Sequence, residues 1–323
     1  MRTEKNLALD AVRVTEAAAL ASARLMGRGD MHLADEAAVA SMRKAFDSLD
    51  IRGRVAIGEG DPHDAPVLHN GEKVGRWQVD DVEVEVAADP LEGARLCARG
   101  MPNAISVVAL TRNGHFLRVP DTYMYKMAVG PAGRGALDMS RPVRDNLQAV
   151  ADAKGVYVED LTIVVLDRPR HEGLMREIRE AGARIKLIAD GDVAAAMATC
   201  VEETGVDLLI GTGGATEGVI AAAALRCVGG DMKAQIQPRN AEESERARRM
   251  GVDMDRIYPL EELAGGDVLF AATGITDGDF LKGVRFRRGG ATTHSVVMRS
   301  RTMTVRIMQA HHRFEDTPDF GEL

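Results

Sequence analysis

A chain of 323 residues is too long for one small core, so two domains are the expected arrangement. A formal net charge of −8 argues against the basic face of a nucleic-acid or membrane-surface binder, and 4% aromatic residues leave little for stacking platforms. One local basic pocket would still serve a phosphorylated small molecule.

The N-terminal stretch from about Glu4 to Met26 is alanine-rich and free of breakers, which predicts a helix that Gly27 can end. A second helix is predicted from about Ala34 to Ser48, with Asp35 near its start. Arg54 to Ile57 reads as a short strand ending at Gly58-Glu59-Gly60. Val82-Glu83-Val84-Glu85-Val86 alternates as a strand and leads into Asp89-Pro90-Leu91-Glu92-Gly93-Ala94, read as a tight turn. Ala104 to Leu110 and Phe116 to Val119 read as a hairpin around Asn113-Gly114.

The rhythm changes near residue 155. Leu161 to Leu166 is a continuous apolar run, as in a strand buried on both faces. A helix (about Gly173 to Ala181), a strand (Arg184 to Ile188), a helix (Val193 to Val201), a strand (Asp207 to Ile210) and a helix (Glu217 to Cys227) follow. This spacing predicts βαβ units and a mostly parallel sheet, which Val268 to Ala272 would continue. Asn240 to Met250 reads as a charged, solvated helix. The expected division is therefore an α+β domain over 1–155 and an α/β domain over 156–323.

Cys97, Cys200 and Cys227 are odd in number and far apart, so neither a zinc site nor a disulfide framework is indicated. Reduced thiols in a cytoplasmic protein are expected. No secretory signal or membrane-spanning run is evident.

Acidic residues recur at the ends of predicted elements. Asp35 follows the loop Gly27-Arg28-Gly29-Asp30, and a lone Asp at a helix start reads first as a cap. Glu59, between two glycines, reads either as a turn acid or as a carboxylate at a backbone that a cation or phosphate can approach. Asp89 and Glu92, three residues apart at a strand end, favour a hard divalent cation, which takes oxygen ligands and keeps positions open for phosphate. Glu217 opens a helix after Gly213-Gly214-Ala215-Thr216.

A second set follows the later strands, where open α/β sheets bind ligands. Arg168-Pro169-Arg170-His171 offers guanidinium forks for an anion. Asp190-Gly191-Asp192 offers carboxylates for sugar hydroxyls. Gly211-Thr212-Gly213-Gly214 offers backbone N–H groups at a helix entrance. His311-His312, without a partner at ligand spacing, reads as surface. Arg285, Arg287 and Arg288 read as a solvated basic turn or a phosphate contact. Sixteen methionines read as core filler.

These residues resemble the class II fructose-1,6-bisphosphatases, bacterial members of the lithium-sensitive, metal-dependent sugar phosphatase superfamily. The matching blocks include Arg13-Val14-Thr15-Glu16, Ile57-Gly58-Glu59-Gly60, Gly71-Glu72-Lys73-Val74-Gly75, Asp89-Pro90-Leu91-Glu92-Gly93, Pro169-Arg170-His171, Asp190-Gly191-Asp192-Val193-Ala194, Gly213-Gly214-Ala215 and Ala272-Thr273-Gly274-Ile275-Thr276. They run in the family's order along nearly the whole chain.

The resemblance implies the layered α/β/α/β/α sandwich of that superfamily. It implies hydrolysis of the 1-phosphate of fructose 1,6-bisphosphate in gluconeogenesis, with sedoheptulose 1,7-bisphosphate as a second substrate or a non-catalytic sugar-phosphate binder as alternatives. Asp35, Glu59, Asp89, Glu92 and Glu217 would hold Mg²⁺ or Mn²⁺. Glu59, Asp89 and position 94 would serve catalysis. Glu92, Gly93, Ala94, Tyr123, Arg168, Pro169, Arg170, Asp190, Gly191, Asp192 and Gly214 would hold the substrate. A homodimer or homotetramer is implied, with no nucleic-acid or membrane partner.

Two positions depart from the family pattern. Its acidic motif ends in Thr where this chain has Ala94, and it tends to carry Lys where this chain has Met31. The family threonine touches the attacking water, so the expectation is that binding survives while turnover falls by orders of magnitude.

Overall fold

The computed structural model describes residues 7–314 apart from 62, 64 and 113. The chain divides into two compact units, Met1–Gly114 with Gly266–Leu323 and His115–Gly265. The first unit opens with α1 (Leu7–Ala23), α2 (Met31–Phe46), β1 (Ile51–Ile57), β2 (Lys73–Val74), β3 (Val82–Glu92), α3 (Ala94–Arg99) and β4 (Ile105–Arg112). The second unit supplies β5 (Tyr123–Val129), α4 (Val143–Lys154), β6 (Thr162–Leu166), α5 (Glu172–Glu180), β7 (Arg184–Ile188), α6 (Asp192–Ala198), β8 (Leu208–Gly214), α7 (Ala215–Val228), β9 (Asp231–Gln237), α8 (Ala241–Arg249), β10 (Ile257–Pro259) and α9 (Leu260–Leu263). The chain then returns to the first unit with β11 (Asp267–Gly274), β12 (Arg285–Arg287), β13 (Gly290–Arg299) and β14 (Thr304–Arg313).

The first unit is an eight-stranded sheet ordered β12-β13-β11-β4-β3-β1-β2, with β14 added on β13. Its alanine- and valine-rich helix α1 packs on β11, β13 and β4, and α2 packs on α1 and β3. Small side chains let α1 lie close: Ala11, Val14, Ala18 and Ala19 are fully buried, as are Met42 and Phe46 of α2. Several polar groups sealed by this packing are bonded to one another. Thr15 Oγ1 lies 2.7 Å from Thr273 Oγ1, which lies 2.8 Å from Ser295 Oγ. The Thr293 hydroxyl donates to Glu16 Oε1 at 2.7 Å, and His312 Nε2 sits 2.9 Å from Thr293 Oγ1. His312 is therefore tied into the α1 interface rather than idle at the surface.

The second unit has three layers. Its sheet is ordered β10-β9-β5-β8-β6-β7. One face carries Met127, Val129, Ile163, Val165, Leu208 and Ile210 against Leu147 and Val150 of α4 and Met175 and Ile178 of α5. The opposite face meets α6 and α7: Gly218 of α7 leaves room for Met124, whose sulfur a Cβ there would meet at 2.2 Å. Strands β6, β7 and β8 run in one direction, as the βαβ spacing predicts, and β9, which the sequence reading did not include, runs with them. Strand β5 is inserted antiparallel between β8 and β9, and β10 is antiparallel at the edge.

Three readings of the sequence change. The division expected near residue 155 falls instead at 114/115, with a return at 265/266, because β5 makes full ladders with β8 and β9. The hairpin expected after β4 does not form. Both edges of β4 are taken by β3 and β11, and Phe116 makes an isolated bridge to Ala264 instead. Its Asn113 lies outside the described residues. The strand at Val268 is β11, which pairs antiparallel with β4 and β13 in the first sheet and does not extend the second.

Candidate active site

In the first unit two of the predicted acids, Glu59 and Asp89, lie near the same end of two neighbouring strands. Strands β1 and β3 are parallel, with Ile57 opposite Ala87. Glu59 and Asp89 each lie two residues beyond that pair, Glu59 just past the end of β1 and Asp89 still within β3. The backbone holds them there. Glu59 N–H donates to Leu68 O at 3.0 Å, and Gly58 N–H donates to Asn70 Oδ1 at 3.1 Å. A Cβ on Gly58 would meet Leu68 O at 2.0 Å, so the crossing loop fits only against glycine.

The Asp89 to Glu92 segment is not a free turn. Strand β3 continues through it with a bulge: Asp89 faces Val107 and Glu92 faces Ile105, so three steps on β3 span two on β4. A bulge re-aims side chains at a sheet rim. Asp89 Oδ1 accepts the Leu91 N–H at 3.1 Å, and Glu92 is 3% exposed. Gly93, in the left-handed region at φ +86°, then starts α3, which places half-buried Ala94 at the first helical position.

Asp35 is not a cap. Asp30 caps α2, its Oδ1 accepting the Leu33 N–H at 3.0 Å, so Asp35 sits a turn inside the helix. Burial pushes its carboxyl above the usual range, nearby His32 offsets part of this, and Glu36 adds to it. A carboxylate that is costly to charge suits a cation as partner. Among the described residues, no three His, Cys, Asp or Glu side chains come together closely enough to hold a metal ion.

In the second unit, the predicted groups line one edge of the sheet. Arg168 follows β6, and its Nη1 and Nη2 donate to Asp167 O at 2.9 Å and Ala189 O at 2.7 Å. Arg170 donates from Nε and Nη2 to Thr212 O at 3.0 and 2.7 Å. Both guanidiniums are thus oriented by carbonyls, which leave the positive charge unneutralised. Pro169 begins the short 3-10 turn between them. His171 closes that turn from beneath. Its Nδ1 is 2.7 Å from Leu166 O and its Nε2 accepts the Thr212 N–H at 2.8 Å, which makes the ring a neutral Nδ1–H strut between β6 and β8. Burial lowers its pKa despite the carbonyl bond.

The glycine run expected as a loop after the third strand lies within β8 itself, where Tyr123 pairs with Gly214. The strand extends because β5 supplies a partner to its last residue. Gly213 and Gly214 are required by what surrounds them: a Cβ on Gly213 would meet Asp192 Oδ2 at 2.1 Å, and one on Gly214 would meet Glu217 Oε2 at 1.8 Å. Glu217 also accepts the Thr216 hydroxyl at 2.8 Å.

Asp192 opens α6 after left-handed Gly191 and is buried. Its Oδ2 lies 2.5 Å from Lys126 Nζ, which also donates to Gly214 O at 2.9 Å. Its Oδ1 is buried with no hydrogen-bond partner among the described residues. Half-buried Asp190 stands just before. Lys126 was invisible to motif reading, although a lysine inside Met124-Tyr125-Lys126-Met127-Ala128-Val129 signals a buried counter-ion. Arg239 and Glu243 likewise escape motif reading, although Asn240 and Glu243 carry the spacing of a capping box.

The family model described as "Bacterial fructose-1,6-bisphosphatase, glpX-encoded" matches residues 5–312. A protein of Synechococcus elongatus (strain ATCC 33912 / PCC 7942 / FACHB-805), named D-fructose 1,6-bisphosphatase class 2/sedoheptulose 1,7-bisphosphatase, is 42% identical over 337 residues, covering 97% of this chain and 98% of that one. A protein of the same name from Synechococcus sp. (strain JA-3-3Ab) is 42% identical over 333 residues, covering 96% of each. With its matching blocks in order from end to end, the chain belongs to the bacterial fructose-1,6-bisphosphatase family.

Proposed function

We propose that the chain hydrolyses the 1-phosphate of fructose 1,6-bisphosphate, giving fructose 6-phosphate and inorganic phosphate. The observation that carries this reading is the pair Arg168 and Arg170. The hydrogen bonds of each fork go to backbone carbonyls, which carry no net charge, so its positive charge remains for an anion. These forks grip the phosphate that stays, and that binding energy positions the one that leaves. Asp190 and the orphaned Oδ1 of Asp192 accept sugar hydroxyls.

Asp35, Glu59, Asp89 and Glu92 are proposed ligands for Mg²⁺ or Mn²⁺, and Glu217 is proposed as a metal-binding carboxylate in its own right. Buried Glu92 and charge-averse Asp35 fit that role. When bound, such ions neutralise phosphate charge and lower the pKa of a water. As the water oxygen bonds to phosphorus and the bond from phosphorus to the C1 oxygen breaks, one carboxylate, Glu59 or Asp89, takes the proton of the water, and a proton passes to the departing C1 oxygen to give the sugar hydroxyl. Ala94 has no hydroxyl to orient that water, so turnover is slow. Phosphate release from fructose 1,6-bisphosphate tests the reading. Release should stop with a chelator and return with Mn²⁺ or Mg²⁺; no release and no bisphosphate binding would overturn it.

The relatives' names join two activities, so sedoheptulose 1,7-bisphosphate is a second proposed substrate, tested in the same assay. A homodimer or homotetramer is also proposed. Strand β14 pairs on one side with β13 and exposes Val305 and Ile307, and light scattering would measure the assembly. We place the enzyme in the cytoplasm. Burial raises the Cys97 and Cys200 thiols to about 11, as suits inert reduced cysteines. Among the described residues no helix is long and apolar enough to cross a membrane.

A further inference from the structure

Tyr123 is flanked by two guanidiniums. The Arg170 carbon Cζ lies 4.6 Å from the ring centroid and the Arg239 Cζ lies 4.8 Å from it. Arg170 reaches the ring from the β8 side, through Thr212, and Arg239 from just beyond β9. The two arginines differ in what holds them. Arg239 Nε donates to Glu243 Oε1 at 2.5 Å, and its Nη2 lies 3.4 Å from Asp121 Oδ2.

Glu243 is itself fixed. It is 6% exposed and accepts the Thr122 hydroxyl at 2.7 Å and the Arg239 N–H at 2.9 Å, within the cap that Asn240 makes for α8. Helix α8, read from the sequence as a solvated excursion, therefore anchors this cluster. Charge accounting decides the role of Arg239. Two carboxylates already compensate it, so it has little attraction left for a phosphate. What it retains is a flat, immobile face against Tyr123.

We propose that Arg239 is a positioning residue for the grip on the phosphate that stays: pinned by Glu243 and Asp121, it fixes Tyr123, and through that ring it fixes the fork of Arg170. This rests on the reading of Arg170 as a phosphate-binding residue, and the test separates the two. Binding of fructose 6-phosphate, which keeps that phosphate, and fructose 1-phosphate, which lacks it, is measured by calorimetry without turnover. Arg239→Ala is expected to weaken fructose 6-phosphate roughly 5- to 30-fold, the range of a stacked cation, and to leave fructose 1-phosphate unchanged.

Arg239→Lys keeps the charge but not the plate, and is expected to lose nearly as much. Arg239→Ala leaves the buried Glu243 carboxylate without its cation and is expected to lower the melting temperature, whereas Arg239→Lys keeps that charge; should the alanine variant fail to fold, Arg239→Lys and Glu243→Gln carry the test. Equal weakening of both ligands, no weakening, or a lysine variant indistinguishable from the parent would overturn the inference while Arg170→Ala still weakened fructose 6-phosphate. If Arg170→Ala also left both ligands unaffected, the phosphate grip and the inference would fall together.

Discussion

Lys126 Nζ lies 2.5 Å from Asp192 Oδ2, with the two side chains 2% and 6% exposed. One strand and one helix start are thereby locked around Gly214 O, which the same ammonium holds. A buried pair of this kind is weak evidence for stability in itself, but removing one partner strands the other charge.

Lys126→Met is therefore expected to cost about 3–5 kcal/mol, seen as a fall in melting temperature of roughly 10 °C. The double variant Lys126→Met/Asp192→Leu should recover most of that stability while sugar-phosphate affinity stays low. Recovery of both together would show that Asp192 is purely structural; recovery of neither would show that the pair does more than neutralise itself.

Ala94→Thr is expected to raise turnover of fructose 1,6-bisphosphate by ~10²–10⁴, the usual worth of a well-placed proton-transfer contact, with little change in KM. Position 94 is half-buried at the first helical residue of α3, which leaves room for a hydroxyl. Equal rates for parent and variant, in a side-by-side phosphate-release assay, would mean another group orients the water.

His171 makes stability depend on pH. Its folded pKa lies below the unfolded value of about 6.5, chiefly because it is buried. Above that value both states carry a neutral ring and the contribution is whole. As pH falls toward the folded value the unfolded chain takes up the proton first, and stability is lost. His294 is shifted in the same direction, first by burial and then by Lys282, so the comparison must be between parent and variant. The parent's melting temperature should drop faster than that of His171→Gln on going below pH 6.5; parallel curves would remove His171 from the account.

Gly214→Ala places a methyl where Glu217 Oε2 now lies, 1.8 Å from the new Cβ. The obstruction is the end of a flexible side chain, so the fold should survive while the carboxylate is displaced. The expected result is an unchanged melting temperature without metal and a Mn²⁺ requirement for activity raised roughly 10- to 100-fold. An unaltered Mn²⁺ titration would take Glu217 out of the proposed ligand set.

Much of this protein was legible in order along the chain. Local patterns suffice for α1, α5 and α7 and for β6, β7 and β8, because helical and strand periodicities are properties of neighbouring residues. The acids at Glu59 and Asp89 and the arginines at 168 and 170 stood out because glycine or proline beside a strand end marks a backbone a ligand can approach. What pattern could not reach is pairing at a distance. Strand β5 is claimed by β8 and β9, 79 to 114 residues away along the chain, which moves the domain division and turns β8 into a strand up to Gly214. Lys126 meets Asp192, and Arg239 meets Tyr123, only when separate strands lie side by side. Residue type and spacing determined the chemistry this chain has available; the tertiary ladder alone decided which charges are compensated, and hence which arginines remain free to hold an anion.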